Sequence, residues 1–176
     1  MKIKAIERMV KAERSLVIRQ APGGDVWIGT GVCMYNVGAL GPQPAVTVRW
    51  LFGLSETETE RFDAADHGFV IPEQPEAFLD EDFVFRIGFF DDKGNTAEPH
   101  VFSGAVFLLA GGDVAPLAGE KNLSYRYGPQ EQRIFVMRGM FPVAAICAKP
   151  AHADLPFVRD VETVIKLIRH QSGLDE

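Results

Sequence analysis

Cysteines and long apolar runs are scarce in this chain. Only two cysteines, Cys33 and Cys147, occur in 176 residues, and both lie in apolar runs. We expect two buried thiols rather than a disulfide, which fits a reducing cytoplasm. No apolar run approaches the ~18 residues of a membrane-spanning helix, and the charged start Met1–Lys4 is unlike a signal peptide. These absences predict a cytoplasmic protein with no membrane partner.

Motifs that carry known chemistry are also missing. The sequence contains no Walker loop, no Gly-x-Ser-x-Gly and no strand followed by Gly-x-Gly-x-x-Gly. No histidine has a second His or Cys two to four residues later, as a zinc site requires. Cys147 lies in an apolar strand, where a thiol is hard to ionise. The sequence therefore assigns no catalytic residue, no cofactor and no metal ligand, and it favours a protein that is not an enzyme.

Phenylalanine, by contrast, is abundant. The chain has 13 Phe against 3 Tyr and 2 Trp, and 47% of its residues are hydrophobic. Phe has no polar group, so most of these rings are expected in the core or at a protein interface. The length and composition predict one domain over residues 1–176, with subdomains 1–72 and 73–176 as the alternative.

The stretch Phe83–Leu109 predicts the core hairpin of an antiparallel sheet. Two apolar runs, Phe83–Phe90 and Val101–Leu109, flank the polar segment Asp91–Asn95. Aromatic and β-branched runs around Asp, Gly and Asn are typical of a β-hairpin. Asp91–Asn95 also has the oxygen-rich composition of a calcium loop, but it lacks the alternating ligands and the distal Glu of such a loop. We interpret it as a turn.

Several other segments have the apolar pattern of strands, and Met140–Ala148 is apolar enough to be a central strand that is buried on both faces. Gly111–Asp113 is interpreted as a turn. The remaining predicted strands are Leu16–Gln20, Val26–Tyr35, a brief Phe69–Ile71, Ser124–Tyr127 and Arg133–Met137. Val26–Tyr35 is interpreted as one strand or as two short strands broken at Gly29–Gly31, and it is expected to form a hairpin with Leu16–Gln20.

Helices are predicted at both ends of the chain. Residues 3–13 have amphipathic spacing, although Ile3 and Ala5 also alternate with lysines as at the start of a strand. Asp160 is expected to cap a final helix. Val46–Leu54 is interpreted as a short helix, although its residues also alternate. Ser55 and Glu58 form a capping-box pattern that predicts a helix through Ala65, unless the segment is a polar loop. The fold class is α+β, a largely antiparallel sheet with an N-terminal and a C-terminal amphipathic helix.

Charge is distributed unevenly along the chain, whose formal net charge is -6. Most acids lie between Ser55 and Glu98, and an exposed acidic surface is the simplest interpretation. Basic residues instead occupy one side of each terminal helix, where they are candidates for contacts with nucleic-acid phosphates or only solvated helix faces. These candidate residues are Lys4, Arg8, Lys11, Arg159, Lys166 and Arg169.

Three strand-like stretches carry a resemblance: Val26–Tyr35, Trp50–Phe52, and Phe141–Ile146 with Pro150. They resemble parts of small uncharacterised proteins carried by prophages and integrative elements of Gram-positive bacteria. The resemblance covers most of the chain in outline and implies no catalytic residue. In architecture, an antiparallel sheet with basic helices is similar to DNA sliding-clamp domains, which are acidic overall with a positive helical lining.

Three hypotheses for function follow. The first is a non-enzymatic interaction or accessory protein of a mobile genetic element, with a protein partner or a homo-oligomer. The second is a nucleic-acid-associated, clamp-like module that uses the terminal helices. The third is an enzyme with an acidic and histidine site assembled from distant residues. The residues considered for that site are Asp91, Asp92, His67 and His100, with Asp80–Asp82 as further carboxylates that are expected at an exposed strand entry.

Overall fold

Two antiparallel sheets and five helices make up the described part of the chain. The structure is a computed structural model, and it describes residues 1–71, 78–82, 89–90, 96–148, 150–151 and 156–171. The α+β class expected from the sequence is confirmed, with antiparallel pairing throughout both sheets.

The larger sheet has seven strands, which come from both ends of the sequence. Their bounds are β1 Val17–Gln20, β2 Asp25–Gly29, β3 Cys33–Ala39, β4 Leu79–Asp80, β8 Leu123–Gly128, β9 Arg133–Arg138 and β10 Phe141–Cys147. In space, the strands follow the order β1-β2-β3-β10-β9-β8-β4. The central strand, β10, is buried along Val143–Ile146, as the apolar stretch Met140–Ala148 predicts.

The smaller sheet has three strands, β5 Phe89–Phe90, β6 Thr96–Phe102 and β7 Ala105–Ala110. The predicted hairpin is confirmed in part, because β5 pairs antiparallel with β6. The run Val101–Leu109 is not one strand, because it contains a turn at Ser103 and Gly104. Both residues have positive φ, 49° and 77°, as a two-residue hairpin turn requires. Of the predicted partner run, 83–88 lies outside the described residues, and so does the turn 91–95.

The helices are α1 Ile3–Glu13, α2 Pro44–Leu51, α3 Glu56–Thr59, α4 Gly111–Val114 and α5 Pro156–Gln171. Helix α1 buries Ile6 and Val10 on one side, as its spacing predicts. The capping box of Ser55 and Glu58 is present at the start of α3. The helix ends at Thr59 rather than at Ala65.

Three further expectations are corrected. Gly111–Asp113 belongs to α4 and is followed by a 3-10 turn at Ala115–Leu117, so it is not a simple turn. Helix α5 begins at Pro156, which places Asp160 inside the helix instead of at its cap. Phe69–Ile71 forms no strand; Phe69 is buried against Trp27 instead, with ring centroids 5.3 Å apart.

The core lies on both faces of the seven-stranded sheet. One face packs against α1, α2 and the inner face of the small sheet, through residues such as Ile6, Phe52 and Phe107. The opposite face packs Trp27, Met34 and Phe135 against Phe69 and Phe78. Within the described residues, the helices are all too short or too polar to cross a membrane.

Candidate functional site

A buried pair of ionisable side chains lies between the two sheets. His100 is on β6 and has the same side-chain direction as Phe102, two residues later, because successive side chains of a strand alternate. Phe102 belongs to the core that the two sheets share. The His100 ring also lies 4.2 Å from the ring of Tyr125 on β8, measured between centroids. The small sheet therefore holds an imidazole against the large sheet.

Glu81 supplies the partner of this histidine. Nδ1 of His100 lies 2.7 Å from Oε1 of Glu81, and the two side chains are only 0% and 6% exposed. The other ring nitrogen, Nε2, is buried and has no hydrogen-bond partner among the described residues. A carboxylate that orients one nitrogen of a histidine leaves the second nitrogen available for a proton or a ligand.

A cleft of about 680 Å³ lies beside this pair. It is lined by β6, α4, the 3-10 turn and the start of β8, and its polar side chains include Glu98, Asn122 and Tyr125. Tyr125 lines the cleft and also contacts the His100 ring. Tyr125 is therefore shared by the wall of the cleft and the surroundings of the buried pair.

The sequence suggests that all three acids of Asp80–Asp82 are exposed at a strand entry. The structure bears this out for Asp80 and Asp82 but not for Glu81. Asp80 forms an exposed ion pair with Arg126, and Asp82 accepts a hydrogen bond from the N–H of Gly104. Glu81, between them, turns into the core. Asp91 and Asp92 lie outside the described residues.

The two histidines of the hypothetical assembled site have different surroundings. His67 is exposed in a loop, and its ring lies next to Gly31. His100 is enclosed by Glu81 and Tyr125. Within the described residues, no group of three or more His, Cys, Asp or Glu side chains is arranged to hold a metal ion.

A second cluster of ionisable groups lies under α1 and α4. The Tyr35 hydroxyl donates to the backbone carbonyl of Asp113 at 2.5 Å, and the Cys33 thiol lies near the Asp113 carboxyl. Burial raises the pKa of Cys33 well above its usual value, and the nearby Asp113 carboxylate adds to that rise. Burial also raises the pKa of Asp113. The Cys33 thiol is therefore a poor nucleophile, as expected for a buried cysteine.

A third feature, the buried Arg133 at the start of β9, is absent from the expectations drawn from the sequence. Its side chain is fully buried and lies over the Phe69 ring at 5.4 Å from the centroid. The guanidinium donates to four backbone carbonyls. Those carbonyls belong to Gly31, Val32, Asp66 and His67.

The predicted basic residues are distributed over two separate helices. Lys4, Arg8 and Lys11 are exposed along α1, where Lys11 pairs with Glu7 at 2.8 Å. On α5, Arg159 and Lys166 are exposed, and Arg169 belongs to the same helix. Helix α1 contacts β2 and the 3-10 turn, whereas α5 contacts β7. A shared nucleic-acid-binding face remains a prediction.

Large apolar side chains are exposed on α2. Trp50 is 79% exposed, Val46 is 57% exposed, and Leu51 is also exposed. We call these three residues the α2 patch. Phe141, at the start of β10, is a separate exposed aromatic residue with 74% exposure.

Comparisons with known proteins add no relative. No family model, no curated protein and no solved structure matches the chain. The resemblance to proteins of mobile elements and the architectural similarity to sliding clamps therefore remain predictions.

Proposed function

We propose that this protein works through protein contacts and self-associates through the α2 patch. The observation that carries the proposal is the exposure of Trp50 and its neighbours on a well-anchored helix. Clustered large apolar side chains on a surface commonly mark protein interaction sites, and Trp is enriched among the residues that dominate binding energy. An accessory role on a mobile genetic element belongs to the same proposal and rests on the sequence resemblance alone.

Helix α2 presents Trp50 in a fixed position. Val48 lies on the buried side of the helix. Phe52, the residue directly after the helix, is also buried in the core. Val46 and Trp50 are four residues apart, so they are neighbours on the opposite, exposed side. An aromatic side chain on an anchored helix loses little conformational freedom when a partner covers it.

A second copy of the chain is the partner that the charges around the patch favour. Arg49 and Glu56 form an ion pair at 3.1 Å beside the patch, and Glu56 is largely exposed. In a two-fold dimer, the Arg49 of one copy can face the Glu56 of the other while the apolar centres meet. Three side chains cannot cover the ~800 Å² per partner of a standard interface, so the patch forms its apolar centre and polar groups form its rim.

Sedimentation velocity over a range of protein concentrations tests this proposal. The wild type is expected to associate as concentration rises, whereas Trp50→Glu remains monomeric. Phe141→Glu is the matched control, because it places the same charge at another exposed aromatic position and is expected to associate like the wild type. A wild type that is monomeric at all concentrations contradicts the proposal, and so does association that Trp50→Glu leaves unchanged.

Tryptophan fluorescence gives an independent measurement. The chain has two Trp residues, and Trp27 is buried in the core, so quenching by acrylamide reports mainly on Trp50. We expect quenching to decrease as the protein associates. The variant Trp50→Phe, which retains only Trp27, is expected to show weak quenching at every concentration.

An enzyme with an acidic and histidine site is the second candidate, and the buried His100–Glu81 pair favours it. Buried polar pairs that are retained for function commonly cost stability. The double variant His100→Phe with Glu81→Leu is therefore expected to be at least as stable to urea as the wild type. If the double variant is instead destabilised by more than about 2 kcal/mol, the pair is a structural element.

A further inference from the structure

Cys147 lies directly opposite Arg133 in the ladder between β10 and β9. Side chains at directly opposite positions of an antiparallel pair project to the same face of the sheet. Cys147 is partly exposed, whereas the Arg133 side chain is 0% exposed. A thiol at the edge of the core is thus next to a fully buried cation.

Among the described residues, no hydrogen bond of Arg133 is made to a carboxylate. The four acceptors that its terminal nitrogens bind are backbone carbonyls, which are neutral. The carboxylate of nearby Asp66 instead binds Arg19, at 2.5 Å. Nε of Arg133 is buried and has no hydrogen-bond partner among the described residues. A buried cation in this state favours an anion nearby.

The side chain of Cys147 is in position to supply that anion. Burial lowers the pKa of Arg133, and the interaction with Cys147 opposes this change. A cysteine beside an arginine is more easily converted to the thiolate, which is the reactive form. The sequence predicts apolar surroundings for Cys147, but the charged Arg133 side chain is buried on the same face of the sheet.

Cys33 provides an internal contrast. It lies on the other face of the sheet, because it belongs to the core cluster that contains Tyr35 and Ile146. Burial and the nearby Asp113 carboxylate raise the pKa of the Cys33 thiol, because a negative neighbour disfavours a thiolate. The Arg133 charge also acts on Cys33, but at Cys33 burial and the Asp113 carboxylate outweigh it and raise the thiol pKa.

We propose that Cys147 is an oxidative modification site at which Arg133 stabilises the thiolate for reaction with a hydroperoxide. The sulfur attacks one peroxide oxygen, an S–O bond forms and the O–O bond breaks. With hydrogen peroxide, the other oxygen leaves as hydroxide, the sulfur loses two electrons to become a sulfenic acid, and the peroxide is reduced. The new oxygen is an acceptor for the Nε–H of Arg133.

Modification at this position acts on the turn between β2 and β3. The N–H of Cys147 donates to the carbonyl of Val32 at 2.8 Å, and Arg133 donates to the same carbonyl at 3.0 Å. An added oxygen on Cys147 competes with these carbonyls for the guanidinium. Oxidation is therefore expected to loosen the turn.

Alkylation by iodoacetamide across pH 5 to 9 tests the thiolate. Cys33→Ala leaves Cys147 as the only thiol, and Cys147→Ala leaves Cys33. We expect Cys147 to reach its half-maximal rate at a lower pH than N-acetylcysteine, and at pH 7 to react at least about tenfold faster than Cys33. A half-maximal pH at or above that of N-acetylcysteine overturns the proposal, as does equal reactivity of the two thiols.

Oxidation of the wild type provides a second measurement that depends on no variant. After treatment with hydrogen peroxide and dimedone, which traps sulfenic acids, peptide mass spectrometry is expected to find the adduct on the peptide of Cys147. Hydrogen exchange of the same sample should increase at residues 30–33. An adduct that forms first on Cys33, or no adduct while the protein is folded, overturns the proposal.

Discussion

Arg133 donates a hydrogen bond from Nη2 to the backbone carbonyl of Gly31, at 2.8 Å and 102 positions apart in the sequence. The same nitrogen binds the carbonyls of Asp66 and His67. One guanidinium thereby joins strand β9 to the β2–β3 turn and to the loop that covers the sheet. The carbonyls of Val32 and Asp66 also accept from the N–H groups of Cys147 and Phe69. The carbonyls of Gly31 and His67 therefore depend most on this side chain.

Replacement of Arg133 by Met is expected to destabilise the fold by roughly 3 kcal/mol, because the variant keeps the aliphatic volume and leaves the carbonyls of Gly31 and His67 without this donor. Urea unfolding measures this change. Arg138→Met is the matched control on the same strand. Arg138 is 62% exposed and makes one long contact to Glu120, so its loss should cost less than about 0.5 kcal/mol. Equal effects of the two variants would show that the carbonyl contacts of Arg133 contribute little.

Gly31 is expected to be intolerant of any side chain. Its φ is +80°, and a Cβ there would lie 2.2 Å from the carbonyl oxygen of Ala65. Gly31→Ala should therefore cost roughly 3 kcal/mol in the free energy of unfolding, since backbone strain and a clash with the backbone add up.

Gly38 separates these two contributions. Its φ is +77°, nearly the same as at Gly31, but no atom of the described residues lies within 4 Å of the position that a Cβ would take there. Gly38→Ala is expected to cost only the ~1 kcal/mol of the backbone term. The difference between the two variants in urea unfolding measures the close approach of the β2–β3 turn to Ala65, and a difference near zero contradicts it.

Local sequence patterns correctly predict those helices and strands that contacts with distant residues do not alter. Helix α1 and strand β10 follow from periodicity and apolar content alone. The capping box at Ser55 correctly marks the start of α3, but the end of that helix is set elsewhere. The N–H of Asp63 binds the carbonyl of Arg14, and its carbonyl binds the N–H of Leu16. These hydrogen bonds of Asp63 with Arg14 and Leu16 are incompatible with a helix that continues to Ala65.

Contacts between distant residues explain why local patterns do not predict the buried pair. Glu81 and His100 are 19 residues apart, and nothing in the local pattern shows that the middle acid of Asp80–Asp82 turns inward. One signal is present: His100 alternates in phase with Phe102, which predicts that both face the core. Arg133 is likewise in phase with Phe135 and Met137, two buried residues of the same strand. A charged or polar residue that alternates in register with buried apolar residues of the same strand is therefore predicted to be buried as well.

The pH dependence of stability should differ in sign between two aspartates. Burial raises the pKa of Asp113, and the nearby Glu13 adds to this effect. The folded protein therefore retains the Asp113 proton to higher pH than the unfolded chain, so this group makes the fold less stable as pH rises above the usual Asp value of ~3.9. Asp113→Asn removes that loss. Relative to the wild type, the variant should gain stability as pH rises from 4 until the carboxyl is fully ionised.

Asp66 is the matched control with the opposite sign. A hydrogen bond from Arg19 and another from the N–H of Gly68 lower the pKa of this carboxyl. Its stabilising contribution is present above the usual Asp pKa and is lost as pH falls through the lowered value. Asp66→Asn should therefore lose stability relative to the wild type as pH rises from 2 to 5. Urea unfolding of both variants from pH 2 to 7 checks the two slopes, and slopes of the same sign would contradict the assigned environment of one aspartate.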